Sequence, residues 1–241
     1  MSERIVGRNA VLELLRHGNR EVERVLILQG NTHARLQQIR AIAEKRRIPC
    51  EFVPRQTLDL LEPDIPHQGV IAIASPTGYT PLETILDNAA RPATLVMLDS
   101  VQDPRNLGAI IRTAEAVKAD GLIIHKRHSA SMTTAAYKSS SGSAEYLPVA
   151  QVTNLAQTID TLKKSGIWVV GTDQNAQTLY TAVDLTASVC LVLGNEAEGL
   201  RRLVREKCDW LVRLPMLGHV PSLNVSVAAG VLLYEVVRQR S

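Results

Sequence analysis

No stretch of the sequence approaches the roughly 18 uninterrupted apolar residues of a membrane span, although 45% of its 241 residues are hydrophobic. The opening Met1-Ser-Glu-Arg-Ile-Val-Gly-Arg8 also lacks the apolar run of a signal peptide. These absences predict a globular protein of the cytoplasm with no membrane contact. Cysteine is scarce as well: Cys50, Cys190 and Cys208 are an odd, widely spaced trio. That count argues against a disulfide framework and predicts inert, buried thiols. His125 and His128 can face one another on a turn, but no cysteine or carboxylate completes a ligand set, so no metal is expected.

The common cofactor motifs are missing too. Gly194 to Gly199 has the spacing of a phosphate loop, but Leu200-Arg201 follows where Lys-Ser/Thr would hold phosphate and magnesium. No G-x-G-x-x-G follows an apolar run, which disfavours a dinucleotide bound in the Rossmann manner. No G-x-S-x-G elbow is present either, which counts against hydrolases of that class.

What remains is a regular pattern. Residues 7–16 and 33–46 read as helices, and 22–29, 50–53 and 69–74 as strands, together a small α/β unit ending at Ser75-Pro-Thr-Gly-Tyr-Thr-Pro81. Residues 1–75 are expected to form one domain, 76–90 a linker and 91–241 a second domain. From residue 94 short apolar runs alternate with helical ones, with strands at 94–98, 121–124, 167–171, 189–193 and 209–214. Their nearly unbroken apolar character predicts a parallel sheet covered on both faces, with ligands beyond its carboxyl ends. The loops at 99–106, 172–177, 194–199 and 215–226 are where chemistry is expected to collect.

The net charge of +3 is too small to imply nucleic-acid binding by itself. Residues 1–75 nevertheless hold ten arginines and one lysine against nine acidic residues. Arginine suits phosphate and base recognition through its two parallel donors, and a solvated surface of ion pairs explains the same composition. His125-Lys-Arg-His128 and Arg201-Arg202 with Arg205 and Lys207 allow both readings as well.

Each candidate site residue also has a plain structural reading. Asn106 stands where a helix N-cap belongs, ahead of an apolar stripe of Leu107, Ile110, Ile111, Ala114 and Val117. Arg112 falls off that stripe, toward the strand ends or solvent. Glu196 either orients Asn106 or Arg112 or caps a helix beginning near Glu198. Ser222 and Asn224 are either caps or ligand contacts.

Three segments resemble, in order, the motifs of the SpoU (TrmH) branch of the SPOUT RNA 2′-O-methyltransferases. They are Asp99-Ser-Val-Gln-Asp-Pro-Arg-Asn-Leu-Gly-Ala-Ile-Ile-Arg-Thr-Ala114, Leu193-Gly-Asn-Glu-Ala-Glu-Gly-Leu200 and Leu214-Pro-Met-Leu-Gly-His-Val-Pro-Ser-Leu-Asn-Val-Ser226. The resemblance spans residues 94–240, and residues 1–75 look like the RNA-binding domain attached to many of these enzymes. It implies an α/β fold in which the parallel sheet carries a trefoil knot, a feature otherwise essentially absent from proteins. It further implies a bent S-adenosylmethionine in the knot, contacted at Gly194, Leu214 and Leu223, with Thr172 and Leu217 as further positions. Asn106, Arg112, Glu196, Ser222 and Asn224 fall at catalytic positions.

The implied reaction is transfer of a methyl group to a guanosine ribose of 23S rRNA. A tRNA ribose methyltransferase shares all three motifs, and a non-catalytic RNA-binding assembly factor on the same fold is the alternative from another class. A homodimer through the C-terminal knot domain is implied, with Ala228, Ala229 and Gly230 compatible with close packing. Asn195 and Pro221 depart slightly from the family pattern, which bears on loop geometry rather than on the functional set. The family's proposal of Arg112 as a base sits awkwardly with a guanidinium pKa above about 12. Electrostatic stabilisation of the developing alkoxide is the reading favoured here.

Overall fold

The computed structural model describes residues 2–17 and 19–241. Its first sheet uses β1 (Glu3–Val6), β2 (Val22–Leu28), β3 (Cys50–Val53) and β4 (Val70–Ala74), with helices α1 (Arg8–His17), α2 (Ala34–Lys45) and α3 (Arg55–Leu61). The strand order is β1-β4-β2-β3, antiparallel except for the β2–β3 pair. Alternation along the strands sorts side chains to two faces. Ile5, Val25 and Ile27 join residues of α1 and α2, while Val6, Leu26 and Ile71 meet Leu58 of α3.

The second sheet comprises β5 (Thr94–Leu98), β6 (Gly121–His125), β7 (Val149–Val152), β8 (Trp168–Thr172), β9 (Thr178–Leu179), β10 (Val189–Leu193) and β11 (Trp210–Arg213). Its order is β7-β6-β5-β10-β8-β11-β9, with every pairing parallel. Helices α4 (Leu82–Asn88), α5 (Pro104–Ala116), α6 (Thr134–Ser140), α7 (Leu155–Lys164), α8 (Arg202–Lys207) and α9 (Val225–Arg240) complete the chain. All residues of β5, β6 and β10 are buried, which explains why these strands read as continuous apolar runs. Val96 and Leu98 pack with side chains of α5 and α9, and Leu95 and Met97 with side chains of α4, α7 and α8. The expected α/β fold with a covered parallel sheet is therefore present.

Several local expectations are revised. The segment 76–90 includes α4, whose Leu82 and Ile85 are buried beneath the large sheet. Helix α5 is capped by Asp103, not Asn106: Asp103 accepts from the Arg105 N–H, and Pro104 takes the first helical position. No helix begins near Glu198. Instead Asn195 and Gly199 exchange backbone hydrogen bonds of 3.0 and 2.8 Å, and α8 starts at Arg202. Cys190 is buried, Cys50 and Cys208 only partly so, and burial pushes the Cys208 thiol up to about 12. No helix among the described residues is long and apolar enough to cross a membrane.

The two sheets are joined through a buried arginine. Arg20 donates to the Ser75 carbonyl at 2.8 Å, to Glu145 at 3.0 Å and to Glu3 at 2.9 Å, with its guanidinium 5.3 Å from the centre of the Tyr137 ring. It thus ties β1 and the end of β4 to the segment following α6.

Candidate active site

The carboxyl ends of β8, β10 and β11 open into a cavity of about 340 Å3. That is within the range of small-molecule sites, about 300–1,000 Å3. Thr172, Leu193, Gly194, Val212, Leu214, Ser222, Leu223 and Ala228 all line it, as does Glu196. The walls combine apolar side chains with exposed backbone. At Gly194 the backbone itself is the wall: a Cβ there would lie 2.3 Å from the Gly199 carbonyl carbon and 2.6 Å from the Leu200 nitrogen. Only glycine lets the strand end and the returning loop meet so closely.

The loop is held by two anchors. Asn195 donates to the Ser100 carbonyl at 3.1 Å and accepts from the Ala197 N–H at 2.8 Å. Beneath it, the fully buried carboxylate of Asp99 accepts from the Arg201 N–H at 2.8 Å and from Arg201 Nε at 2.6 Å. Sequence reasoning gave Asp99 no role and left Arg201 open between a nucleic-acid contact and a solvated surface. The usable signal was an acid directly after a wholly apolar strand, since a buried carboxylate must be paired.

At the mouth of the cavity three of the expected catalytic residues form one hydrogen-bonded group. Glu196 Oε1 accepts from Asn106 Nδ2 at 3.2 Å, from Asn224 Nδ2 at 2.9 Å and from the Val225 N–H at 3.0 Å. Asn224 Nδ2 also donates to Asn106 Oδ1 at 3.0 Å. Asn224 is at the same time the N-cap of α9, accepting from the Ser226 N–H at 3.0 Å. The cap reading holds for this residue, and the same side chain joins the group around Glu196. Ser222 lines the cavity and caps nothing.

Two expected residues lie apart. Arg112 is exposed on α5, six residues beyond Asn106 and so about 9 Å farther along the helix axis. Its Nη1 donates to Ser141 Oγ at 3.4 Å. Leu217 is 98% exposed and does not line the cavity, whereas Gly194, Leu214, Leu223 and Thr172 do. The 215–221 segment makes no backbone hydrogen bonds among the described residues and carries Leu217 outward.

The donor set fits S-adenosylmethionine. Bare backbone at Gly194 can meet a polar ligand edge, and Leu193, Leu214 and Leu223 offer apolar contact to an adenine ring. Two basic side chains, Arg205 and Arg213, border the cavity, and the Arg205 guanidinium is bound to Asp173.

Comparison with known proteins adds independent findings. The model of the SpoU rRNA methylase family matches residues 93–234, and that of the RNA 2′-O ribose methyltransferase substrate-binding domain matches residues 4–80. The chain is 44% identical to the 23S rRNA (guanosine-2′-O-)-methyltransferase RlmB of Pseudomonas syringae pv. tomato, covering 99% of this chain and 96% of that protein. It is 43% identical to YacO of Bacillus subtilis, a protein named for the TrmH family of tRNA/rRNA methyltransferases, over 98% and 96% of the two chains. Among solved structures it is similar to the SpoU methyltransferase AviRb of Streptomyces viridochromogenes in complex with AdoMet. That match has a TM-score of 0.82 at 28% identity, covering 99% of this chain and 90% of the other. An AdoMet-bound rRNA methyltransferase of Sinorhizobium meliloti gives 0.81 at 27% identity, over 98% and 87%.

Proposed function

Since the chain belongs to the SpoU family and is an S-adenosylmethionine-dependent RNA 2′-O-methyltransferase, we propose that its substrate is a guanosine ribose of 23S rRNA. The observation that carries the site assignment is the Asn106–Glu196–Asn224 group at the mouth of a cavity of cofactor size. The likeness to RlmB over nearly the whole chain supports the ribosomal substrate. In this reading residues 1–75 hold RNA, 76–90 connect, and 91–241 carry out transfer, in the cytoplasm where ribosomal RNA is made.

Bound S-adenosylmethionine supplies a methyl group activated by its sulfonium charge. Gly194, Thr172, Leu214 and Leu223 hold it, and the outward-facing Leu217 is assigned to the same loop. Transfer of that methyl group to a ribose 2′-oxygen would break the carbon–sulfur bond and leave S-adenosylhomocysteine, with the hydroxyl proton passing to water. Glu196 fixes both amides of Asn106 and Asn224, so the lip of the pocket is set before RNA arrives and alignment supplies much of the rate. Arg112, a permanent cation on the same helix as Asn106, stabilises the developing alkoxide and an adjoining phosphate. Ser222 shapes the wall between cofactor and ribose.

The trefoil knot is part of this proposal, with the C-terminal segment tucked through a loop of the chain. So is a homodimer. Val220, Leu223, Val227, Tyr234 and Val237 are exposed apolar residues on α9 and the loop before it; Val227 and Tyr234, seven apart, share a helix face.

The test is incubation with labelled S-adenosylmethionine and unmodified 23S rRNA or tRNA, followed by mapping of the labelled nucleotide. Label on a 23S guanosine ribose supports the reading, label in tRNA alone redirects the substrate, and no transfer to either refutes it. Arg112→Ala is expected to abolish transfer while cofactor binding and melting temperature are retained.

A further inference from the structure

We propose that Arg8 and Lys138, one from each sheet's share of the chain, bind backbone phosphates of the RNA strand whose ribose is methylated. The inference rests on the RNA reading above and names residues for it that lie outside the cofactor cavity.

Most arginines of the first 75 residues are committed to carboxylates. Arg4, Arg16, Arg20, Arg24, Arg40 and Arg55 all make ion pairs. Arg8 and Arg35 make none among the described residues, and neither does Lys138 or Arg112. These four unpaired cations are neighbours in a chain of contacts. Arg35 donates to Asn9 Oδ1. Lys138 reaches from α6 across to the turn between β1 and α1, where a Cβ at Gly7 would lie 2.1 Å from its Nζ. The ammonium therefore rests on bare backbone that only glycine leaves open, immediately beside Arg8. On the far side, a Cβ at Gly142 would lie 3.3 Å from the Asn9 carbonyl, and the adjoining Ser141 accepts from Arg112.

This arrangement opposes folding unless something else benefits. Lys138 is half-buried; burial first, and then the charge of Arg8, hold its ammonium below the usual lysine range, with no carboxylate acting on it. Two cations kept together without an acid form a place for an anion. Arg35, Arg8, Lys138 and Arg112 run from α2 across α1 and α6 to α5, the helix that carries Asn106 to the catalytic group. A polyanion following that line reaches the methyl-transfer site in contact with both sheets' helices. RNA phosphates supply such a repeated charge, and lysine and arginine meet them with charge-assisted hydrogen bonds.

The experiment uses the full chain with Lys138→Gln, Arg8→Gln and the conservative Lys138→Arg, and unmodified 23S rRNA. RNA affinity is measured across a salt series, alongside KM and kcat for methyl transfer, S-adenosylmethionine affinity and melting temperature. Each glutamine variant is expected to lower the salt slope of RNA binding by about 0.7 to 1. KM for RNA should rise severalfold with cofactor affinity and melting temperature unchanged, and Lys138→Arg should restore the slope. If wild type transfers methyl groups while the glutamine variants keep its salt slope and KM, this proposal fails and the functional reading stands. A loss that tracks a lowered melting temperature and is not restored by Lys138→Arg makes Lys138 structural and also overturns it. A wild-type chain that binds no RNA overturns both.

Discussion

Replacing Gly194 with alanine is the sharpest single perturbation of the cofactor wall. The added Cβ would stand 2.3 Å from the Gly199 carbonyl carbon, 2.5 Å from its oxygen and 2.6 Å from the Leu200 nitrogen. Carbon atoms rest at about 3.5–4.0 Å, so the returning loop has to retreat by roughly 1.2 Å or more. All three of these atoms are backbone, which cannot rotate away as a side-chain tip would. Overpacking of this kind costs about 1–3 kcal/mol. The strand side is fixed, because Leu193 lies within the fully buried β10. The loop side is exposed at Glu196, Ala197 and Glu198 and yields first. The cost should therefore fall on the shape of the pocket and weaken S-adenosylmethionine about 5- to 150-fold. Titration calorimetry of Gly194→Ala with S-adenosylmethionine measures this, with a thermal melt to follow folding. An affinity within twofold of wild type would refute the argument that this backbone contact forms the wall.

Two further outcomes follow from groups away from the cofactor. His125 Nδ1 accepts from the Arg127 and His128 N–H groups at 2.9 and 3.2 Å, and burial first, then the charges of Arg201 and His128, hold its pKa below the ordinary 6.5. The unfolded chain therefore binds the proton more readily, so this contribution to stability is present above pH 6.5 and is lost as pH falls toward the folded value; the fall in melting temperature between pH 7.5 and 5.5 should be smaller in His125→Gln, and parallel curves would contradict this. Arg240 donates to the carbonyls of Leu185, Pro92, Ala93 and Ala187 and to Thr94 Oγ1 at 2.6–3.1 Å, so Arg240→Ala should cost about 2–4 kcal/mol in denaturant unfolding, and a loss under 0.5 kcal/mol would show the latch to be idle.

How much was legible beforehand varied with the physics of each segment. The buried strands of the large sheet announced themselves because both faces are covered, so 94–98 and 189–193 match β5 and β10 residue for residue. Helix α6 was invisible. Thr134-Ala-Ala-Tyr-Lys-Ser-Ser140 has no apolar period, and its place is set by Gly108 of α5, where a Cβ would lie 2.3 Å from the Ala136 carbonyl. The two-residue β9 exists only because β11 provides an edge to pair with. Asn106 looked like a cap because it precedes the apolar stripe, but Pro104 lets the helix begin earlier and Asp103 takes that duty. The meeting of Asn106 with Glu196 and Asn224, 90 and 118 residues away, depends on strand order and lies beyond any local pattern.

Asn224 caps the last helix and binds Glu196 with the same side chain. This couples the site to the order of synthesis. A growing chain has made both sheets' early strands long before it makes residues 212–228, which furnish one whole side of the cavity. The carboxylate of Glu196 waits for Asn224 and the Val225 N–H, and α9 is held in turn by Arg240, which clasps the start of β5 and the residues just before β10. Synthesis of the segment through α9 is therefore the event that completes the pocket.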